Sequence, residues 1–205
     1  MVAKMRNAGE ACTAANRFYV QSGIYHSFVA SLTTRMEALA IGPGTDPATE
    51  CGPMITAKAV GKIDELVRDA VGRGANVLCG GAKPAGTGFY YPPTVLTDVP
   101  DDAEMAHGEI FRPVAPITKF YTEDEVIAKA NDTEYGLAAY VFTKDIGRGL
   151  KVARRIEAGM VALNRGLVSD PAAPFGGMKQ SGLGREGGQH GVLEFTEPQY
   201  VAVTL

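Results

Sequence analysis

A cysteine near the start of the chain has surroundings that suit a nucleophile. Cys12 lies in the segment RNAGEACTAANRFYV, where Gly9 permits a tight turn and small residues leave room for a substrate beside the thiol. Small neighbours also let backbone N–H groups approach a developing oxyanion. A thiol is a strong nucleophile only when deprotonated, and because its free pKa is about 8.5 it needs a base, a cation or a dipole nearby. Arg6 supplies a cation six residues earlier, although the spacing alone still favours a small buried cysteine.

Two later segments could contribute to a site. In GEIFRPVAPI (108–117), Glu109 precedes Phe111 by two residues, so a carboxylate can bind a sugar hydroxyl while an aromatic ring presses on another ring. Taken alone, this segment is better explained as an ordinary loop entering a strand. The segment at 164–188 is long, irregular and dense in Gly and Pro, and such loops inside compact domains are often functional. Its Gly182–Gly187 match to a dinucleotide-binding pattern is rejected, because no strand leads into it and too little chain follows.

Composition narrows the class of protein. Hydrophobic residues make up 45% of the chain and charged residues 21%, which is ordinary for a globular domain. The net charge of −3 gives no reason to expect binding to nucleic acid or to an anionic membrane, and no apolar run is long enough to cross a bilayer. Three scattered cysteines argue against a disulfide scaffold and a zinc site, and for a reducing, cytoplasmic compartment. No metal is expected.

Alternating strands and helices predict an α/β domain with a largely parallel sheet flanked by helices. The predicted strands cover 16–22, 76–79, 94–99, 115–121, 138–145, 160–165 and 197–205, and the predicted helices 23–40, 56–74, 122–132 and 146–159. The predicted apolar faces of the first two helices are Ile24, Phe28, Leu32, Met36 and Leu39, and Val60, Ile63, Leu66, Val67 and Val71. The last strand has no evident partner in the chain, so it could join the sheet of another subunit as an oligomerisation strand.

Taken together and in this order, the three segments resemble the aldehyde dehydrogenase superfamily over essentially the whole chain. The resemblance implies that Cys12 attacks an aldehyde and that its own backbone N–H stabilises the oxyanion. It implies that a thiohemiacetal transfers hydride to NAD or NADP and that a thioester is then hydrolysed. Glu109 would bind the nicotinamide ribose and Phe111 would pack near the nicotinamide. Arg112 stands where the family usually has Gly.

The two end segments resemble succinate-semialdehyde dehydrogenases in particular. In that subfamily the arginine six residues before the nucleophile binds the substrate carboxylate and a serine of the late loop assists, which implies Arg6 and Ser169 here. A guanidinium suits this role because it can hold a carboxylate through two hydrogen bonds. Some members carry a second cysteine two residues after the nucleophile, but Ala14 occupies that position.

The resemblance also sets expectations for domain organisation. Residues 1–190 are expected to form the nucleophile-bearing catalytic domain and 191–205 an oligomerisation segment, with homo-oligomers in the full-length form. The family's cofactor-binding domain, its E-L-G-G general base and an oxyanion-site Asn are absent from this sequence. We therefore expect no turnover from these residues alone. Two alternatives remain: a catalytically inert C-terminal fragment whose role is assembly, and a thiol esterase that needs no nicotinamide.

Overall fold

Four strands from the first part of the chain form one sheet, in a computed structural model that describes residues 1–205. The chain divides into two units, Met1–Ala130 and Asn131–Leu205. The elements of the first unit are α1 (Val2–Met5), β1 (Phe18–Gln21), α2 (Tyr25–Glu37), α3 (Ala57–Gly72), β2 (Asn76–Cys79), β3 (Thr94–Thr97), α4 (Glu104–His107), β4 (Val114–Phe120) and α5 (Glu123–Asn131), which ends at the boundary. Short 3-10 turns cover Arg6–Gly9 and Ser22–Ile24.

The sheet is mixed, with the strand order β1-β4-β3-β2. Both β1 and β3 run parallel to β4, and Ile117 of β4 pairs with Phe18 on one side and Thr97 on the other. β2 runs antiparallel to β3, because the loop between these consecutive strands reverses the chain direction. The α/β class is thus confirmed, and the predicted parallel arrangement holds for three of the four strands. All four residues of β3 are buried, as expected for a strand covered on both faces.

Helices α2 and α3 bury apolar faces that differ slightly from those predicted. In α2 the buried residues are Tyr25, Val29, Leu32 and Met36, whereas Ile24 lies before the helix and is 58% exposed. In α3 the buried face includes the predicted Val60, Ile63, Leu66 and Val67 together with Ala59 and Ala70. Val71, in the last turn of α3, was assigned to this face but is 42% exposed. The helical period of the apolar residues is thus confirmed, whereas Ile24 and Val71, at the ends of the predicted faces, lie outside the buried surface.

The second unit contains a parallel strand pair and a separate antiparallel pair. Its elements are β5 (Tyr135–Gly136), β6 (Ala138–Val141), α6 (Ile146–Ala153), β7 (Met160–Leu163), β8 (Met178–Lys179) and α7 (Gly188–Leu193). β6 pairs in parallel with β7, and β5 pairs antiparallel with β8, which lies within the long loop at 164–188. The Asp145 carboxylate caps α6 by accepting from the Arg148 backbone N–H at 3.0 Å. The predicted domain boundary at residue 190 stays a prediction.

Residues 197–205 have no regular secondary structure within this chain. A strand needs a neighbour to complete its backbone hydrogen bonds, and no strand of this chain pairs with the segment. The predicted strand at 197–205 is therefore not formed within this chain, and its pairing with another subunit stays a prediction. No helix of the protein is both long and apolar enough to span a membrane.

Lys4 is a charged residue placed inside the core of the first unit. It lies in α1 and is only 1% exposed, and its Nζ has no hydrogen-bond partner. Removal from water disfavours the ammonium form and lowers the pKa of Lys4 to about 7. The unfolded chain, with a pKa near the normal 10.5, binds a proton that the folded chain loses between these two values. This lysine therefore makes folding less favourable at neutral pH than at alkaline pH.

We expect Lys4→Met to stabilise the protein at pH 7 by about 1–3 kcal/mol, because a thioether of similar length replaces an amine with no partner. In the parent chain the Lys4 contribution to the free energy of unfolding should rise between about pH 7 and pH 10, by on the order of 4 kcal/mol. The measurement is urea unfolding at pH 6, 8 and 9.5 for both proteins.

Lys58→Met is the matched control, because Lys58 is exposed on α3. It should leave the pH dependence of unfolding as it is in the parent chain. If Lys4→Met kept that dependence as well, Lys4 would not be the group that titrates.

Candidate active site

Cys12 follows three consecutive residues with left-handed backbone conformations. Asn7, Ala8 and Gly9 have φ values of 52°, 53° and 79°. This conformation costs a residue with a Cβ roughly 1–2 kcal/mol, and Asn tolerates it best because its side chain can bond locally. Here Asn7 Nδ2 donates to the Glu10 carbonyl at 2.9 Å, and the Glu10 N–H donates back to the Asn7 carbonyl at 2.9 Å. Backbone strain of this kind is concentrated at functional sites.

Gly9 is required by both its conformation and its surroundings. A Cβ at this position would lie 2.5 Å from the carbonyl oxygen of Arg112, well inside van der Waals contact. The glycine therefore lets the turn before Cys12 lie directly against the backbone of the 108–113 loop. Two of the segments singled out in the sequence are in this way brought together in one unit.

Cys12 is the exposed cysteine of the three, whereas Cys51 and Cys79 are buried. Burial, with a further effect of the Glu10 carboxylate, raises the pKa of Cys51 to about 11, and burial also raises the pKa of Cys79. Both are therefore poor nucleophiles at neutral pH. The backbone N–H of Cys12 donates to no group of the chain, while the turn closes with a bond from the Ala14 N–H to the Ala11 carbonyl at 2.8 Å. An exposed thiol beside a free N–H is the arrangement that acyl transfer needs.

Arg6 lies on the same turn as Cys12. Its guanidinium Nη2 donates to Thr13 Oγ1 at 3.4 Å, and Thr13 is buried directly after the cysteine. The Arg6 side chain is itself exposed, so its other donors can face a ligand. A cation that contacts the residue next to the thiol is placed to bind a carboxylate carried by the same molecule as an electrophile.

Asn16 fixes the 108–113 loop and was not singled out from the sequence. Its Nδ2 donates to the Gly108 carbonyl at 2.9 Å, and its Oδ1 accepts from the Ile110 N–H at 2.7 Å. These bonds hold the backbone on both sides of Glu109, which is exposed. The available signal was an amide residue just before β1, but its partners lie more than ninety positions away, so spacing could not identify them.

Phe111 and Arg112 complete the loop. Phe111 is half-buried with φ 48°, and the Arg112 guanidinium lies 5.9 Å from the centre of its ring. Arg112 Nη1 lies 3.3 Å from Glu10 Oε1, and both side chains are largely shielded from water. The backbone of Arg112 is not left-handed, so a side chain is accommodated there without strain. The predicted Cys12, Arg6, Glu109 and Phe111 thus belong to the first unit.

A family model described as the aldehyde dehydrogenase family matches residues 1–201. The chain belongs to this family.

Relatives within the aldehyde dehydrogenase family match nearly the whole chain. A succinate-semialdehyde dehydrogenase of Paenarthrobacter nicotinovorans is 53% identical over 203 residues, which are 99% of this chain and 45% of that protein. A glutarate-semialdehyde dehydrogenase of Pseudomonas aeruginosa is 46% identical over 99% of this chain and 42% of its own length. A crystal structure described as an NADP-dependent enzyme of E. coli matches with a TM-score of 0.96 and 45% identity, over 100% of this chain and 42% of that one. The chain therefore spans less than half the length of the curated relatives it matches.

Ser169, the remaining predicted site residue, lies in the second unit. It is half-buried in the 164–188 loop, outside regular secondary structure. The loop is held by internal bonds: Phe175 and Glu186 exchange backbone hydrogen bonds of 2.7 and 2.8 Å, and Arg185 Nη1 donates to the Gly177 carbonyl at 2.8 Å. Lys179 Nζ donates to the Asn131 carbonyl at 2.9 Å and so holds the β8 end of the loop. The loop around Ser169 is thus a structured segment.

We expect Asn16→Ala to lower the free energy of unfolding by about 1–3 kcal/mol, because two backbone groups of the 108–113 loop lose their partner. The Ile110 amide should also exchange its hydrogen faster. Denaturant unfolding and hydrogen exchange read by mass spectrometry measure the two effects.

Asn76→Ala is the matched control, because its side-chain bond to Asp98 at 3.0 Å is solvent-exposed. Its effect on stability should stay below about 1 kcal/mol. Unchanged Ile110 exchange in Asn16→Ala would show that other contacts hold the loop.

Proposed function

We propose that the chain carries the nucleophile of an NAD(P)-dependent aldehyde dehydrogenase that oxidises succinate semialdehyde to succinate. The observation that carries the proposal is the strained turn that exposes the Cys12 thiol next to a free backbone N–H, with Arg6 on the same turn. The similarity to semialdehyde dehydrogenases over almost the whole chain supports the reaction class.

The Cys12 thiolate attacks the aldehyde carbon, forming a C–S bond while the carbonyl electron pair moves to oxygen. The Cys12 N–H donates a hydrogen bond to this oxygen as its negative charge develops, which lowers the barrier. A nicotinamide, when bound, supplies the acceptor for the hydride that leaves the same carbon. The resulting thioester on Cys12 is hydrolysed by water, which releases the carboxylate and returns the thiol.

Arg6 is proposed to bind the carboxylate at the other end of the substrate. Its exposed guanidinium contacts Thr13, so its position is tied to the residue that follows the nucleophile. Binding both ends of a short substrate fixes the aldehyde against the thiol and reduces the entropy lost in the transition state. The assisting role that the family resemblance implies for Ser169 stays a prediction.

Glu109 and Phe111 are proposed to contact the nicotinamide nucleotide. The Glu109 carboxylate is exposed and can accept hydrogen bonds from ribose hydroxyls, and its backbone is fixed by Asn16 on both sides. The Phe111 ring is half-buried, so part of it remains accessible to a flat ring. These residues therefore fit the cofactor, and they leave the choice between NAD and NADP to other contacts.

A carboxylate-bearing aldehyde is the common feature of the substrates named for the two relatives described above. One relative is named for succinate semialdehyde and another for glutarate semialdehyde, which is one carbon longer. An arginine that binds the terminal carboxylate serves either molecule, and the distance between clamp and thiol selects the length. The 53% identity supports succinate semialdehyde as the preferred substrate.

An assembly role is the second candidate, because the end of the chain exposes a row of apolar side chains. Phe195, Tyr200 and Val203 are 92%, 90% and 75% exposed. The backbone of 197–205 forms no strand within the chain and so has free donors and acceptors for another subunit's sheet. This role would need no chemistry at Cys12, so it can accompany the proposed catalytic role or replace it.

We expect succinate semialdehyde to slow alkylation of Cys12 by iodoacetamide, because a thiohemiacetal hides the thiol. Arg6→Gln should raise the aldehyde concentration needed for half protection by about tenfold, since a charge-assisted contact is lost. Butanal, which has four carbons and no carboxylate, should protect the parent chain and the variant equally. The extent of alkylation is read by intact mass.

Arg68→Gln controls for the loss of a positive charge, because Arg68 lies on α3 and pairs with Asp64 there. Succinate semialdehyde should protect Cys12 of this variant at the same concentration as in the parent chain. If Arg6→Gln weakened protection by butanal as much as by succinate semialdehyde, Arg6 would not be a carboxylate clamp. If neither aldehyde protected Cys12, the nucleophile assignment would fail.

A further inference from the structure

The Glu10–Arg112 pair connects the two segments to which the proposed chemistry is assigned. Glu10 lies two residues before Cys12, and Arg112 directly follows Phe111. Their charged atoms lie 3.3 Å apart, with the two side chains 19% and 16% exposed. The segments also meet through the Gly9 backbone against the Arg112 carbonyl and through the Asn16 side chain. The pair is therefore the charged contact between the turn and the loop.

Each partner depends on the other, because neither charge is otherwise fully satisfied. Glu10 Oε1 accepts no hydrogen bond and Arg112 Nε donates none, although both atoms are buried. Arg112 Nη1 does donate to the Phe111 carbonyl, and its guanidinium lies over the Phe111 ring. A single guanidinium thus touches the backbone and the ring of Phe111 and the carboxylate of Glu10. Loss of either partner would leave the other charge shielded from water and uncompensated.

We propose that Glu10 and Arg112 are positioning residues: their ion pair is a charged tether that fixes the Phe111 loop against the Cys12 turn. A glycine at position 112 would leave the loop backbone more conformational freedom, and the tether restricts that freedom. It also keeps the surroundings of the thiol electrically balanced, because the cation of Arg112 offsets the carboxylate of Glu10. The other charged side chains of α1, the turn and the loop are Lys4, Arg6 and Glu109.

The functional meaning of the tether rests on the proposed function, in which Cys12 is the nucleophile and Phe111 lies at the nicotinamide. The distance between these two groups sets how well the substrate carbon faces the hydride acceptor. The tether itself is a property of this chain, so it can be tested without substrate or cofactor. The absence of dehydrogenase activity would therefore count against the proposed function alone, and the measurements below test the tether independently of it.

The first measurement is hydrogen exchange in the 205-residue chain, in Glu10→Gln, in Arg112→Met and in the double variant. The probes are the Glu10 amide, bonded to the Asn7 carbonyl, and the Ile110 amide, bonded to Asn16. Each single variant should speed exchange of both amides by about fivefold, and the double variant by no more than either, because one tether is lost in all three. Effects that multiply in the double variant would overturn the proposal.

The second measurement is the rate of Cys12 alkylation by iodoacetamide at pH 7. Arg112→Met leaves an unbalanced carboxylate and should slow alkylation about threefold, whereas Glu10→Gln leaves an unbalanced cation and should speed it by a similar factor. Shifts in the same direction would overturn the pairing, because simple loosening of the turn would act alike in both variants.

Arg112→Lys tests rescue by a conservative change, since it keeps the cation. It should retain most of the exchange protection and an alkylation rate within about twofold of the parent chain. Arg73→Met controls for the loss of an ordinary ion pair, because Arg73 binds Asp69 and Asp102 at the exposed end of α3. It should change neither readout. If Arg112→Lys gave the same amide exchange and the same alkylation rate as Arg112→Met, the positive charge would not be what forms the tether.

Discussion

The close approach of the Gly9 backbone to the Arg112 carbonyl is the contact on which the candidate site depends. A Cβ at Gly9 would lie 2.5 Å from that oxygen, so only a glycine lets the Cys12 turn and the 108–113 loop touch. The left-handed run at 7–9 then directs the chain so that Cys12 is exposed while its neighbour Thr13 is buried. Strain in the two residues with a Cβ, Asn7 and Ala8, is tolerated because α1, β1 and β4 fix the segments on either side.

The core of the first unit supplies the rigidity that this turn requires. β4 lies between β1 and β3, and the loop that carries Glu109 and Phe111 leads directly into it. Asn16 and the Glu10–Arg112 pair add polar contacts to this framework, one neutral and one charged. Lys4 is the exception, because it places an amine without a partner in the same core and reduces stability at neutral pH.

Exposure separates the three cysteines and agrees with the role proposed for Cys12. Cys51 and Cys79 are core residues whose thiols resist deprotonation, and Cys12 is open to a reagent or a substrate. Membership of the aldehyde dehydrogenase family gives this exposed thiol a chemical context. The other proposed site residues of the first unit are Arg6, on the same turn, and Glu109 and Phe111, on the 108–113 loop that packs against Gly9.

The sequence by itself determined the α/β class, the longer helices and strands and the family, because periodicity, turn residues and local motifs are properties of neighbouring positions. It could not fix which face of α3 turns inward at Val71, the antiparallel direction of β2, or the absence of a strand at 197–205. The tertiary structure decided these, since burial and pairing depend on distant segments. The same holds for Asn16 and for Glu10 with Arg112, whose partners lie about a hundred residues apart and meet only when the sheet forms.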